Sequence, residues 1–527
     1  MNKKTIIIII TTLVVFLLGI ITYVTLTHQD SNTLTLLEKQ WIQNHKNNMI
    51  DIDIQNDIPI FSYDGEGLIY EFLADLEKDT ELGFNKLPLN SDNKSAYSIR
   101  MTDKLEKNDI VMYEDNYALI SKENVKYNSL SSIRNITVGV LNNNLDDVNY
   151  YLKGENVTFK TYDKVIDLIE AVKESNVNAI VLPKSMYLKE ILENNLTISY
   201  NITEMKENLV IRLGNEKKLN NIFKKYFEKW LNESFETSFS NNLSNNFYEY
   251  TNVNDDDQVN FKRKRYKYGF VANVPYDKLI NNRLVGYNSE LIKEFSKISG
   301  VEVTFHEYDS YAALVKDFNA NKIDFFFNQT SNDKYDMDVT IIPAINDAEI
   351  VVLSNIKNDI IINSVSSIKD SKVLVVNNTI ISKYLEDNKI NVKKYNNIDL
   401  LLKHMNKTSI IVIDKATYEM YKTSKLKDFE INYNFRLDDG YNYTAREIKD
   451  NHLFNNYFAF YLTFVNTKGI TTRIDYKTFE VASKLAFVRP LLISIIAIIV
   501  LLIVSIVTKN YKEKRKLKKL VFQKRIN

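Results

Sequence analysis

The chain of 527 residues is long enough for two or three domains with full cores, and its 45% hydrophobic and 26% charged residues are ordinary for a folded protein. The absence of cysteine excludes disulfides, thiol catalysis and the acylated anchor of a bacterial lipoprotein, and the five scattered histidines predict no metal site. The formal net charge is +1, but it is unevenly distributed along the chain.

Two apolar runs predict transmembrane helices. Residues 5–27 carry no charge, and they show neither the short apolar core nor the small-residue cleavage site of a signal peptide. An uncleaved helix is therefore favoured, with a cleaved signal as the alternative. Residues 490–508 form a second run, which is just long enough to cross roughly 30 Å of hydrocarbon.

The charged flanks predict the orientation. Lys3 and Lys4 precede the first run, and the tail 509–527 contains nine Lys or Arg residues and one acid. The positive-inside rule makes residues 1–4 and 509–527 cytoplasmic, in a bacterial cell membrane. The two flanks contribute +2 and +8, which leaves −9 for the extracytoplasmic residues 28–489 and argues against a nucleic-acid partner. The tail is expected to hold anionic lipid or to dock a cytoplasmic or membrane protein.

The extracytoplasmic region is predicted to contain a juxtamembrane segment and two larger parts. Residues 28–50 indicate a short helix that leaves the membrane. The polar stretch 239–265 has few apolar residues, which is typical of a linker or an irregular connection. It separates a first domain, residues 51–238, from a second domain, residues 266–480.

The two domains look like copies of one another. "GLIYEFLADLEKDTEL" (67–82) and "GYNSELIKEFSKISGV" (286–301) both have apolar residues at helical spacing after a glycine. "SIRNITVGVLNNN" (132–144) matches "SIKDSKVLVVNNT" (367–379), and each predicts a turn and then a β-branched strand. The alternation of strands and helices predicts α/β units around largely parallel sheets, in an approximate duplication.

The second copy resembles the family 3 extracellular solute-binding proteins, which have the two-lobed Venus flytrap fold. The resemblance covers nearly all of 266–480, and the first copy matches more weakly. It implies an α/β chain of two tandem periplasmic-binding-protein-like domains between two transmembrane helices. The resembling segments are "LVGYNSELIKEFSKISGVEVTFHEY" (284–308), "YAALVKDFNANKIDFFFNQTSN" (311–332), "SSIKDSKVLVVNNTIISKYLE" (366–386), "SIIVIDKATYEMY" (409–421) and "FNNYFAFYLTFVNTKGITTRIDYKTF" (454–479).

The resemblance also implies a ligand-binding cleft in the second domain, where strands end. Tyr276 takes the place of an aromatic wall, and Asp414 that of the carboxylate which meets a ligand amine. The segment 377–379 stands at a helix N-terminus, whose free N–H groups are expected to bind an anion. The implied cleft residues are Tyr276, Asn328, Gln329, Thr330, Ser331, Asn377, Asn378, Thr379 and Asp414.

Two departures from the family pattern limit what the cleft is expected to bind. Amino-acid binders place an arginine in the segment that here is "QTSNDKYDMD" (329–338), where Lys334 is the only cation, so a standard α-amino acid is not favoured. In the first copy, Pro183 stands where Asp414 stands, and "NDIVMYEDNYALIS" (108–121) runs from strand to strand with little between. The first copy is therefore expected to be structural or to form a homodimer.

No motif for catalysis or for a cofactor is found, so an enzyme is not predicted and no cofactor is expected. The leading hypothesis is a membrane-anchored sensor or solute-binding protein that binds a small molecule in the second domain and relays to a separate partner. One alternative is the tethered binding component of a transporter. Another is a structural envelope protein whose flytraps bind no ligand.

Overall fold

We describe a computed structural model of the chain. The two predicted membrane spans, the basic tail 509–527 and Ser331 lie outside the described residues. Within the described part, no helix combines the length and the apolar character needed to cross a bilayer. The described residues are 34–89, 95–122, 125–127, 129–152, 156–280, 283–330, 335–345, 348–358, 360–437 and 440–465.

The chain forms two compact units. Unit 1 is built from residues up to 125 and from 135–254, and unit 2 from residues 126–134 and from residue 255 onward. The helices of unit 1 are α1 Leu36–His45, α2 Leu68–Thr80, α3 Leu145–Tyr151, α4 Val165–Lys173, α5 Leu188–Glu193, α6 Lys217–Glu233 and α7 Phe235–Tyr250. Its strands are β1 Met49–Ile54, β2 Asp57–Ile58, β3 Ser62–Tyr63, β4 Gly83–Pro88, β5 Tyr97–Thr102, β6 Asp109–Ser121, β7 Ile136–Leu141, β8 Val157–Tyr162, β9 Ala179–Pro183 and β10 Thr197–Arg212.

Unit 1 contains one continuous sheet of eight strands, in the order β4-β1-β5-β10-β6-β9-β7-β8. The long strands β6 and β10 lie in its middle and pair antiparallel from Thr197 opposite Ser121 to Arg212 opposite Asp109. Their ladder is irregular between Ile202 and Lys206, but pairing resumes beyond it. Because the same two strands serve both halves of the sheet, a backbone ladder joins the halves directly.

The helix predicted near residues 67–82 forms α2. Its apolar residues recur along one face, and Leu68, Phe72 and Leu76 are buried. Gly67 precedes the helix at φ +108°, and a Cβ at this position would lie 2.8 Å from the carbonyl oxygen of Phe61. A glycine is therefore needed where this helix begins.

The short helix predicted after the membrane forms α1. It begins with a capping box in which Thr35 and Glu38 each bond the backbone N–H of the other. The Glu38 carboxylate also lies 2.7 Å from Nζ of Lys225 on α6. Both side chains are largely buried, so the pair fixes α1 on unit 1.

The stretch 239–265, which was predicted to be a linker or an irregular connection, is largely helical. Residues 235–250 form α7 and residues 255–263 form the first helix of unit 2, although the boundary between the units does lie within the stretch. The stretch is polar overall, but Leu243, Phe247 and Tyr250 recur at helical spacing and are buried in unit 1. Sparse apolar residues at the right spacing suffice for a helix that packs on one side only.

Unit 2 contains two separate five-stranded sheets and the short two-stranded sheet β12-β13. Its helices are α8 Asp255–Arg263, α9 Tyr287–Ser299, α10 Tyr311–Asn319, α11 Ile380–Asp387, α12 Ile398–His404, α13 Lys415–Tyr421 and α14 Lys449–Phe464. Its strands are β11 Arg265–Val271, β12 Lys278–Ile280, β13 Arg283–Val285, β14 Glu302–Tyr308, β15 Phe325–Asn328, β16 Val339–Ile345, β17 Glu349–Asn355, β18 Val373–Val376, β19 Val392–Tyr395, β20 Ile410–Asp414, β21 Phe429–Arg436 and β22 Tyr441–Arg446.

Each five-stranded sheet of unit 2 is the core of one lobe. The first lobe has the order β14-β11-β15-β22-β16, and the second has the order β19-β18-β20-β17-β21. The chain passes between the lobes twice, after β16 and after β21. These orders repeat those of the two halves of the unit 1 sheet, with β6 in the place of β16 and β17 and β10 in the place of β21 and β22. In these sheets the pairs that do not involve a crossing strand run parallel, as predicted, whereas the short pairs β2–β3 and β12–β13 are antiparallel.

Candidate functional site: the cleft between the lobes of unit 2

Tyr276 reaches the cleft from a tight turn of the first lobe. The turn follows β11 and is closed by hydrogen bonds from Asn273 N to Asp277 O at 2.7 Å and from Tyr276 N to Asn273 O at 2.8 Å. The Tyr276 ring is buried, with the ring of Phe327 at 5.1 Å and that of Tyr441 at 5.5 Å between centroids. This aromatic packing sets the direction of the hydroxyl group.

Asp414 reaches the cleft from the second lobe. It ends β20 and caps α13, where its carboxylate accepts hydrogen bonds from Thr417 N at 2.9 Å and from Thr417 Oγ1 at 2.7 Å. A third bond comes from the Tyr276 hydroxyl at 3.0 Å, across the cleft. The two lobes are thus joined at this point by their own side chains.

The Tyr276–Asp414 contact is buried and its donors are neutral. Burial raises the pKa of Asp414 above its usual range, and the hydrogen bonds from Thr417 and Tyr276 offset this only in part. Burial also raises the pKa of Tyr276, and the nearby carboxylate adds to the increase. Because a buried carboxylate is poorly solvated, this site favours the protonated form more than water does.

Gln329 makes a second contact between the lobes. Its carbonyl oxygen accepts a hydrogen bond from Ile380 N, the first residue of α11, at 2.8 Å. Its side-chain oxygen accepts a hydrogen bond from Asn273 Nδ2 within the first lobe. Thr379 caps α11 by accepting from Ser382 N at 3.2 Å. Two of the N–H groups that were expected to bind an anion are therefore already hydrogen-bonded.

Asn328 supports the end of β15 within the first lobe. Its Oδ1 accepts from the Tyr311 hydroxyl at 3.0 Å and from Thr330 N at 2.7 Å, and its Nδ2 donates to the Tyr335 hydroxyl at 3.1 Å and to Thr444 Oγ1 at 3.2 Å. Only 7% of Asn328 is exposed, and its side-chain oxygen and nitrogen are both hydrogen-bonded within the first lobe.

The remaining sequence-predicted residues lie at the start of α11. Asn377 is half-buried and its N–H donates to Tyr395 O at 2.7 Å, while Asn378 is exposed and has a left-handed backbone with φ +56°. The sequence analysis missed Thr417, although the spacing of "DKAT" (414–417) is that of an N-cap and its N3 residue. It also missed Asn273, for which no local signal exists.

The contacts between the lobes divide the cleft into two parts. The inner cavity has a volume of about 20 Å³ beside Asn273, Gln329, Thr379, Asp414 and Tyr441, which is room for about one water molecule. The outer groove has a volume of about 900 Å³ and lies between α10 and α11. The polar residues along the outer groove include Tyr311, Lys316, Thr330, Asn378, Lys383 and Lys394.

Unit 1 has no such carboxylate at the corresponding strand end. Pro183 ends β9 and pairs with Tyr117, as Asp414 ends β20 and pairs with Ile350. The middle of the unit 1 sheet instead buries Asp115, which accepts from Ser185 N at 2.9 Å and from Ser185 Oγ at 2.8 Å. Burial raises the pKa of Asp115 to about 6.

No protein-family model matches the sequence, and no curated protein matches it. Solved structures of similar fold exist, with low sequence identity. The structure of a protein described as VC protein is 13% identical, with a TM-score of 0.50 over 81% of this chain and 100% of that chain. The periplasmic domain of BvgS from Bordetella pertussis is 10% identical, with a TM-score of 0.36 over 86% of this chain and 96% of that chain. An ancestral arginine-binding protein is 20% identical, with a TM-score of 0.33 over 40% of this chain and 96% of that chain.

These likenesses concern the fold alone. The match to VC protein covers 81% of this chain and so includes parts of both units, and the strand order repeats between the units. In unit 2 the two sheets are linked by two crossings, which is the arrangement of a two-lobed binding protein. Unit 2 therefore has the two-lobed arrangement that the resemblance to the family 3 solute-binding proteins implied, and unit 1 repeats its strand orders.

Proposed function

We propose that the chain is a membrane-anchored extracytoplasmic sensor in which unit 2 opens and closes and a small molecule acts on its cleft. One observation carries the proposal. Unit 2 keeps two separate lobes that meet through the Tyr276–Asp414 contact, whereas β6 and β10 join the halves of unit 1 in one sheet. Two rigid lobes with a small number of contacts between them are suited to a two-state movement.

The ligand is proposed to work by shifting the balance between open and closed unit 2. It can do so only through a difference in affinity for the two arrangements. The inner cavity is filled by side chains of the chain itself, so a ligand there must displace the Tyr276–Asp414 contact and favours the open arrangement. A ligand in the outer groove contacts both lobes and favours the closed arrangement.

Membrane anchoring is proposed from the two apolar runs and their basic flanks. With both flanks in the cytoplasm, movement in the extracytoplasmic part can be passed to residues 509–527, which are proposed to contact anionic lipid or a partner protein. Unit 1 is proposed to be a rigid structural or dimerising element.

A structural envelope protein is the second candidate. The observation that favours it is the filled inner cavity, because side chains that satisfy each other leave little reason for a ligand to bind there. The two candidates differ in whether unit 2 responds to a small molecule.

Thermal unfolding of the full chain in detergent separates them. Both tryptophans, Trp41 and Trp230, belong to unit 1, so tryptophan fluorescence follows unit 1 while circular dichroism follows both units. We expect a panel of amino acids, peptides, sugars and nucleotides to contain a compound that stabilises unit 2. Such a compound raises the midpoint temperature of a transition that circular dichroism detects and tryptophan fluorescence does not. At 100 times its dissociation constant a ligand adds roughly 2.7 kcal/mol.

Two other results decide against the sensor as proposed. If a compound raises only the midpoint temperature of the transition seen by tryptophan fluorescence, the ligand binds to unit 1. If no compound moves either transition, the structural candidate is favoured.

A further inference from the structure

We infer that the Tyr276–Asp414 contact is a proton-controlled latch, in which protonation of Asp414 holds the two lobes of unit 2 together. The inference rests on the proposed function in one respect, namely that unit 2 opens and closes. It adds a second input, the pH outside the membrane, which acts without any other ligand.

The latch is a carboxyl group enclosed by neutral partners. Asp414 is 8% exposed, and in the described part of the chain the titratable groups that face it are the hydroxyls of Tyr276 from the first-lobe turn and Tyr441 from β22. The next residue in the chain, Lys415, pairs with Glu349 at 2.8 Å instead. Among the described residues, which leave out 331–334, no cation therefore contacts this carboxylate in the closed arrangement.

Opening changes the surroundings of Asp414 on one side only. The bonds from Thr417 belong to the second lobe and stay, while the Tyr276 hydroxyl leaves and water replaces it. The burial that raises the pKa of Asp414 is thus a property of the closed arrangement. In the open arrangement water reaches this hydrogen-bonded carboxyl, so its pKa falls back toward the ordinary range.

The sign of the effect follows from this difference in proton affinity. The closed arrangement binds the proton more tightly, so acid favours closure. This stabilisation of the closed arrangement is complete below the pKa that Asp414 has in the open arrangement. It is lost as the pH rises through the pKa that Asp414 has in the closed arrangement. Each unit of difference between the two pKa values changes the ratio of closed to open molecules about tenfold.

The latch can form in both protonation states, because a hydroxyl both donates and accepts. With Asp414 ionised, Tyr276 donates to the carboxylate, and the two oxygen atoms lie 3.0 Å apart. With Asp414 protonated, the carboxyl O–H can donate to Tyr276, whose own hydrogen then points to Tyr441, 5.5 Å away between ring centroids. Protonation thus removes the buried charge and keeps the link.

A second buried carboxyl lies nearby and must be tested separately. Asp277 follows Tyr276 in the chain, but it faces into the first lobe, where it accepts from the Tyr268 hydroxyl at 2.9 Å and from Asn288 Nδ2 at 2.7 Å. Burial raises its pKa to about 7. Both of these partners belong to the first lobe, so its titration is expected to affect that lobe and to leave the latch unchanged.

The test measures the distance between the lobes in the full chain. The native sequence has no cysteine, so Ala313→Cys on α10 and Asp387→Cys on α11 give two unique sites for spin labels on exposed positions of the two lobes. We expect the short-distance fraction, measured by double electron–electron resonance, to rise several-fold as the pH falls from 8 to 4. Asp414→Asn should abolish this rise, and Asp277→Asn should retain it.

Two results overturn the latch. One is a distance distribution that is the same at all pH values, and the other is a pH response that survives in Asp414→Asn. Tyr276→Phe distinguishes failure of the latch from failure of the proposed function. If this variant lengthens the distance while pH has no effect, unit 2 opens but protons do not control it. If no variant lengthens it at any pH, the lobes do not separate and the proposed function fails with the latch.

Discussion

Phe61 of unit 1 occupies the position that corresponds to Tyr276 of unit 2. The carbonyl oxygen of Phe61 accepts a hydrogen bond from Ile69 N at 2.8 Å, and that of Tyr276 accepts one from Asn288 N at 3.2 Å. Each donor is the second residue of the helix that begins after the matching glycine. Unit 1 therefore keeps the turn but has no hydroxyl on the ring, and it has Pro183 in place of Asp414. The contact between the lobes exists in one copy only.

Loss of the Tyr276 hydroxyl should loosen unit 2. Tyr276→Phe keeps the aromatic packing and removes one hydrogen bond to a buried carboxyl, which should destabilise the closed arrangement by about 1–3 kcal/mol. The distance between spin labels on α10 and α11 measures the result. Tyr433→Phe on β21 removes a hydroxyl outside the cleft and should change nothing. An equal effect of the two variants would contradict the role of Tyr276.

Removal of the Asp414 carboxyl should lower the free energy of unfolding more than its conversion to an amide does. Asp414→Ala removes the N-cap of α13 as well as the contact between the lobes, and an N-cap is worth about 0.5–2 kcal/mol. Asp414→Asn keeps a side-chain oxygen for Thr417. In urea unfolding followed by circular dichroism, the alanine variant should be the less stable by about 1 kcal/mol or more. Equal stability of the two variants would show that the cap contributes little.

Asp277 should make unit 2 less stable as the pH rises. Its pKa is raised to about 7 in the fold, so its contribution is complete below the unfolded value near 3.8 and is lost as the pH rises through 7. Asp277→Asn should therefore unfold at a higher urea concentration than the native chain at pH 8, and this advantage should shrink at pH 5. An advantage that does not change with pH would mean that Asp277 does not titrate in this range.

Two glycines in unit 1 provide a matched test of backbone strain. Gly65 and Gly67 both have positive φ, at +84° and +108°, but a Cβ on Gly65 meets nothing within 4 Å whereas one on Gly67 lies 2.8 Å from Phe61 O. Gly65→Ala should cost about 1–2 kcal/mol for the left-handed backbone alone, and Gly67→Ala should cost clearly more. Trp230 packs on Phe72 of α2, with ring centroids 5.3 Å apart, so tryptophan fluorescence in urea reports the loss. Equal losses would show that the chain relieves the close contact.

The predicted membrane topology can be tested in cells. The nine basic residues of 509–527 are expected to stay in the cytoplasm. A reporter that works only in the cytoplasm should therefore be active when it is fused after Asn527, and a reporter that works only outside the membrane should be inactive there. Protease added outside should digest residues 28–489. A C-terminus that is accessible from outside would overturn the orientation and the proposed route of the signal.

The sequence by itself determined the local elements. Apolar spacing predicted α2 and the helix after Gly286, and the run "IIVID" predicted a strand that ends at Asp414, because helices and strands depend on neighbours a few residues apart. The same reasoning was wrong over 239–265, where few apolar residues carry the helical pattern and polar ones outnumber them.

Only the tertiary structure decided the partners of the predicted cleft residues. Tyr276 and Asp414 are 138 residues apart in the chain, and no local pattern shows that each satisfies the other and leaves about 20 Å³ between the lobes. The continuity of β6 with both halves of the unit 1 sheet was equally hidden, since it depends on pairing with the distant β10. Burial and long-range hydrogen bonds arise when elements pack, and local spacing does not specify them.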